Sequence, residues 1–122
     1  SMVSVASLQQ MVDTSARWPS ELSEFEAVNL RMSHSHQVAA SYPECADVAM
    51  ECRLIHTHEM ATNHLFVGEI SIFHLSEKVH REDEAGNPFV DAAELDPVAR
   101  LGGREYTTLG RIRTAAPRSI QE

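Results

Sequence analysis

The stretch "VAMECRLIHTHEMATNHLFVGEISIFHL", Val48–Leu75, holds two extended patterns joined by a short connector. In its first part Val48, Met50, Cys52 and Leu54 share one face of an extended chain. Glu51, Arg53 and Thr57 share the other, with Ala49 and Ile55 tolerated there. That period of two is the pattern of a half-buried strand, apolar on one side and polar on the other. "HLFVGEISIFHL" follows, rich in β-branched and aromatic residues that suit a pleated surface. The five residues "EMATN" between them predict a β-hairpin. Gly68, in mid-strand, predicts a bulge or a close approach by another backbone or a ligand. Cys52 falls on the apolar face and is expected to act as a small core residue.

On the N-terminal side, Val5, Leu8, Met11 and Val12 recur at helical spacing and predict a short amphipathic helix. It should stop near Trp18-Pro19, because a residue before proline is pushed out of helical geometry. Ser23 and Glu26 have capping-box spacing, and a second helix is predicted at about residues 23–30. Residues 31–44 show no sustained period and read as a surface connection. Beyond the hairpin, "REDEAGNPFVD" is a polar turn region. Asp91 and Glu94 again have capping-box spacing, and Asp96-Pro97 reads as an N-cap followed by proline at the first helical position. Gly102 or Gly103 would then end that helix, and Tyr106–Leu109 would form a brief strand. The domain reading is therefore one unit over 1–122, with a helical and loop segment at 2–44, the hairpin at 46–76, and a short helix with the Arg-Leu-Gly-Gly segment at 91–110. Two good strands and several short helices do not close a sheet, so helices or another chain must cover the hairpin's open edges.

Composition narrows the function classes. A chain of 122 residues with 43% apolar and 23% charged residues is an ordinary globular domain. With 18 acidic against 10 basic side chains the formal charge is −8, which argues against a nucleic-acid partner. The local exception is the run Arg100, Arg104, Arg111, Arg113 and Arg118, readable as a solvated tail or as an anion site. No apolar run is long enough for a membrane span, and the opening residues lack the charge and apolar pattern of a signal peptide. Cys45 and Cys52 are the only cysteines. A cytoplasmic, reduced protein is expected.

Motifs for independent chemistry are sparse. Seven histidines invite a metal reading, with His56 and His58 sharing a strand face and His64 and His74 on the partner strand. No His-Glu-x-x-His or Cys-x-x-Cys accompanies them, and no metal site is expected. There is no Gly-x-Ser-x-Gly elbow and no phosphate-binding glycine motif. "RLGGRE" sets two backbone amides between two guanidiniums, which suits either a helix end or an anion-holding nest.

"QMVDTSARWPSELSEFEAVNL", "VAMECRLIH", "NHLFVGEISIFHL" and "LDPVARLGGREYTTLG", in that order, resemble segments of the flavin reductase-like, FMN-binding split-barrel family. The resemblance runs from about Leu8 to Leu109. It implies an α+β fold with a mainly β core, a partial split β-barrel completed by another chain or by oligomerisation. It also implies an oxidoreductase that binds FMN and takes hydride from NAD(P)H, the flavin supplying the redox chemistry. The residues it carries over as cofactor-binding are Thr14, Ser15, His74, Arg100 and Tyr106; it assigns no catalytic residue. Structural roles for the same residues are a hydroxyl-stabilised turn at Thr14-Ser15, carbonyl binding by Arg100 and packing by Tyr106. The family's N-terminal half, which carries the segments that hold the FMN phosphate, has no counterpart in this sequence. The partner is thus expected to be a second copy, a larger homo-oligomer, or a separate chain that supplies that half. The alternative function is a non-catalytic oligomerisation module derived from the barrel that no longer binds FMN.

Overall fold

The computed structural model describes residues 1–115. The hairpin is its backbone: β3 (Val48–Glu59) pairs antiparallel with β4 (His64–Leu75). Two strands of twelve residues make an arm about 40 Å long. Around it lie α1 (Leu8–Thr14), α2 (Glu24–Ala27), β1 (Met32–Ser33), β2 (Tyr42–Pro43), β5 (His80–Glu82), β6 (Pro88–Val90), α3 (Ala92–Leu95), β7 (Val98–Gly102) and β8 (Glu105–Thr108). Among the described residues the strands form four separate antiparallel pairs, β1-β2, β3-β4, β5-β6 and β7-β8, and no closed barrel. The fold is mainly β and its barrel is partial. Among the described residues no helix is long and apolar enough to cross a membrane.

The strand alternation read from the sequence holds from Val48 to Leu54 but reverses past Ile55. Thr57, paired with Phe66, therefore falls on the face of Leu54 rather than that of Arg53. What covers each face also differs. Pairing places Val48 beside Leu75, Met50 beside Phe73 and Cys52 beside Ile70 on one face, and Ala49 beside His74 and Glu51 beside Ile72 on the other. At the base of the arm both faces are covered. Val48 packs with Val79 and Leu95, joined by Leu75 and Val90, while Ala49 and Glu51 are equally buried on the opposite side. Cys52, expected in the core, is exposed, because the covering layer ends before it. Both cysteines are free thiols.

Two irregularities shape the arm. One lies between Glu51 and Cys52, where Ser71 is the extra residue and its hydroxyl donates to the Glu51 carbonyl at 3.2 Å. The other lies between Leu54 and His56, where Ile55 is extra, opposite Gly68 and Val67. Gly68 meets its sequence reading: a Cβ there would stand 3.1 Å from the Cys52 Cβ. Gly68→Val is therefore expected to lower Tm by roughly 5–10 °C. Cys52→Gly removes the opposing carbon and should recover part of that loss, whereas Cys52→Ala, which keeps it, should not; equal melting of the two double variants would refute the contact.

The segment 31–44 is more ordered than a surface connection, since Met32 pairs with Pro43 and Ser33 with Tyr42. α1 ends at Thr14, before Trp18, whose indole N–H donates to the Asp13 carbonyl at 3.0 Å. α2 is capped by Ser23, which accepts from the Phe25 amide at 3.3 Å. Asp91 caps α3, accepting from the amides of Ala93 and Glu94. The reading of Asp96-Pro97 reverses: Asp96 ends this helix in left-handed geometry, φ 46°, rather than starting one. Pro97 then bridges Ser4, and β7 begins. Nor does the double glycine end a helix. Gly102 pairs with Glu105 and closes a hairpin whose turn is Gly103-Arg104, with Gly103 at φ 54°. A glycine with positive φ at the first turn position is what a tight hairpin needs. Tyr106 lies on a strand as expected. Of the arginine run, Arg118 lies outside the described residues.

Candidate functional site

The N-terminal segment carries α1 to the β7-β8 hairpin. Val5 N–H donates to the Asp96 carbonyl at 3.0 Å, and Val98 N–H to the Val3 carbonyl at 3.1 Å. Two open grooves result. One, of about 650 Å³, is lined by Leu8, Gln9, Val12 and Ser15 from the helix side and by Arg100, Gly103, Arg104 and Tyr106 from the hairpin. The second, of about 350 Å³, is mainly apolar, with Met2, Val3, Met11, Pro97 and Val98. Ser15, Arg100 and Tyr106 line both, so the two grooves adjoin at these three side chains.

Three of the five residues carried over by resemblance therefore converge. Arg100 and Tyr106 are cross-strand partners in the β7-β8 pair, and Ser15 faces them from the end of α1. The Arg100 guanidinium donates to the Gly103 carbonyl at 3.2 Å, so the carbonyl it holds belongs to a hairpin turn. The Ser15 hydroxyl donates to the Val12 carbonyl at 2.6 Å and the Thr14 hydroxyl to the Met11 carbonyl at 2.7 Å. Both hydroxyls keep acceptor lone pairs. Thr14 faces a different groove, of about 210 Å³, with Met2, Met11, Leu30 and Pro43.

His74 stands apart, sharing no groove with these residues. Its ring stacks on Tyr42, centroids 4.7 Å apart, and lies 5.2 Å from His36. Its Nε2 is 2.6 Å from Glu51 Oε1. Glu51 is the residue that strand periodicity misreads: placed with the polar, solvated face, it is only 2% exposed. Oε1 also accepts from the His36 amide at 2.7 Å, and Oε2 accepts from the amides of Gln37 at 2.7 Å and Val38 at 3.2 Å. Burial pushes this carboxyl up, but the amides and His74 outweigh it and bring it down to about 2. An ionised Glu51 can only accept, so His74 Nε2 carries the proton in that bond. Its one signal in the sequence is a carboxylate facing an apolar partner, Ile72, across the hairpin. Gln9 was likewise missed, being one polar residue on an amphipathic helix.

No group of three or more metal-ligating side chains is found among the described residues. His56 and His58 stack on each other with centroids 6.4 Å apart, and His64 stacks on Phe66.

No protein-family model matches the chain. An uncharacterized protein of Deinococcus radiodurans is 29% identical over 104 residues, 85% of this chain and 45% of its own length. Another from Aquifex aeolicus is 30% identical over 105 residues, 86% of this chain and 52% of its own. The chain thus spans about half the length of these relatives. Among solved structures, nitrilotriacetate monooxygenase component B from Bacillus cereus superposes with TM-score 0.80 at 24% identity, over 93% of this chain and 57% of its own. A protein assigned as a flavin reductase with a split barrel domain, from Shewanella frigidimarina, gives 0.76 at 26% identity, over 93% and 58%. Flavoredoxin of Desulfovibrio vulgaris gives 0.75 at 26% identity, over 95% and 60%. In its fold the chain is similar to these flavin reductase-like split-barrel proteins, and it matches one part of that barrel.

Proposed function

We propose that the chain binds FMN and serves, within a larger assembly, as a flavin-dependent oxidoreductase with NAD(P)H as hydride donor. The observation that carries this reading is the superposition on a flavoredoxin and a flavin reductase over nearly the whole chain. The grooves fit the group. Together they join a mainly apolar groove to one of mixed lining that carries Arg100 and Arg104, which suits a ligand with a flat ring and a charged tail, and their volumes lie in the range of about 300–1,000 Å³ usual for small-molecule sites. The flavin, when bound, supplies the redox chemistry. The chain's own residues would position it: Met2, Val3, Met11 and Val98 against the ring, with Arg100, Tyr106 and Ser15 at the junction offering a guanidinium and two hydroxyls. Thr14 would act by holding the end of α1, and His74 by holding Glu51. Exposed free thiols at Cys45 and Cys52 suit a reducing, cytoplasmic setting.

The open grooves and the bare arm support completion by a further chain, a second copy in the first instance. The arm's apolar faces equally favour a second reading, a non-catalytic oligomerisation module without flavin. The absorption spectrum of the purified chain with added FMN separates the two. A flavin band near ~450 nm that co-elutes with a species heavier than the monomer is the expected result. A heavier species that stays colourless and leaves added FMN unbound would select the second reading.

A further inference from the structure

A single carboxylate oxygen, Glu51 Oε1, holds two histidines. It takes the His74 ring through Nε2 at 2.6 Å and the His36 backbone through its amide at 2.7 Å. The two imidazole rings lie 5.2 Å apart, centroid to centroid. His74 is fixed between this carboxylate and the Tyr42 ring, which stacks on it at 4.7 Å. With the proton on Nε2, the neutral ring keeps its lone pair on Nδ1. Nδ1 makes no hydrogen bond among the described residues, where no buried side-chain nitrogen is left without a partner, so this lone pair reaches the surface. His36 is exposed, and its ring makes no hydrogen bond among the described residues.

We infer that His36 and His74 bind a borderline divalent cation, of the class of Zn²⁺, Ni²⁺ and Cu²⁺. Neutral imidazoles suit these ions. Two imidazole nitrogens at about 2.0–2.1 Å from one tetrahedral ion set the ring centroids about 5 Å apart, the spacing found here. A metal-bound histidine characteristically donates its other N–H to a carboxylate, which orients the ring and raises its basicity. Glu51, 2% exposed and anchored by the amides of residues 36–38, is that carboxylate for His74. The described residues offer no third metal-ligating side chain, so water completes the coordination. The histidines of the arm lack these features. His56 and His58 stand 6.4 Å apart with rings near parallel, His64 stacks on Phe66, and none of the three has a carboxylate partner among the described residues. No spacing motif marks the pair, because one ligand comes from a loop and the other from a strand far along the chain. The site lies outside the grooves between α1 and the β7-β8 hairpin and stands independently of the flavin reading. A bound ion ties the loop at His36 to β4 and so stabilises the folded chain.

The test is a calorimetric titration of the purified chain, dialysed against EDTA, with ZnCl₂ at pH 7, and melting followed in parallel. Saturable binding of one ion per chain is expected, with Tm raised by about 5 °C or more at saturation and returned by EDTA. His36→Ala keeps the backbone amide that Glu51 holds, so it should leave the metal-free Tm unchanged and weaken binding at least about tenfold. His56→Ala with His58→Ala removes two histidines from the arm and should leave the affinity unchanged. In nitrogen NMR spectra of the imidazoles, Zn²⁺ should shift Nδ1 of His74 while Nε2 keeps its proton. No saturable binding below about 1 mM, full affinity in His36→Ala, or loss of affinity in the arm double variant would overturn the site.

Discussion

Glu51→Gln is expected to lower Tm by more than about 10 °C at pH 7. The reason is geometric. Each carboxylate oxygen faces two donors, His36 N–H and His74 Nε2 at Oε1, and the Gln37 and Val38 amides at Oε2. Glutamine must turn its NH₂ toward one of these pairs, so at least one backbone amide loses its acceptor and confronts another donor, even where the His74 ring switches tautomer to accept. Glu51→Asp should fare no better, because it falls short of the loop by a methylene. The consequence is local as well as global. Residues 36–38 are fastened to the hairpin through this side chain, so their amides should exchange with solvent much faster in the variant while those around Val79 change less.

The same residue sets an acid limb. Its carboxyl sits at about 2 in the folded chain against an ordinary 4.5. A group depressed in this way stabilises the fold above its unfolded value, and the contribution drains away as pH falls from about 4.5 toward 2. The wild-type Tm should therefore drop steeply across that window, and the Glu51→Gln curve should be flatter and meet it near pH 2. Parallel curves for the two proteins would show that Glu51 is not the group responsible.

Glu51 also marks where sequence reasoning stops. Periodicity reports which residues share a face, and it did so correctly for Val48, Met50, Cys52 and Leu54. It does not report what lies over a face. The loop that buries Glu51 comes from residues 36–38, whose sequence carries no period, so the charged face looked solvated. The error at Cys52 is the mirror image: an apolar face was read as covered where no layer reaches it. At Asp96-Pro97 the ambiguity is chemical. An Asp before a Pro starts a helix when its side chain caps, and ends one when its backbone turns left-handed, and the dipeptide looks the same in both. The Gly102-Gly103 pair is similar, since positive φ serves helix ends and tight hairpin turns alike. The candidate site was legible only as motifs. Ser15 and Arg100 meet because the N-terminal segment is stitched to Asp96 and Val98, a pairing between distant backbones that local spacing does not encode.

The second large effect concerns the arm. Purified chain is expected to run at twice its monomer mass or more, and Ile70→Lys with Phe73→Lys to run as a monomer. The arm carries a long, continuous apolar surface. Phe73, Ile70, Leu54 and Phe66 follow one another along the face that continues Val48 and Met50, with Phe73 58% and Phe66 64% exposed. The opposite face is interrupted by the Arg53–Glu69 ion pair and by His56 and His58, which makes it the poorer surface for burial. A second copy is the simplest occupant, since one arm offers the other the same stripe and an unpaired strand edge. Lysines at 70 and 73 place two charges in the middle of that stripe, where desolvation is costly, and leave the packed base of Val48, Val79 and Leu95 untouched. The amides of 36–38 should accordingly stay protected in the double variant. A wild-type chain that is monomeric, cooperative in melting and indifferent to a hydrophobic dye would refute the interface. A variant that keeps the wild-type mass would move it to another face.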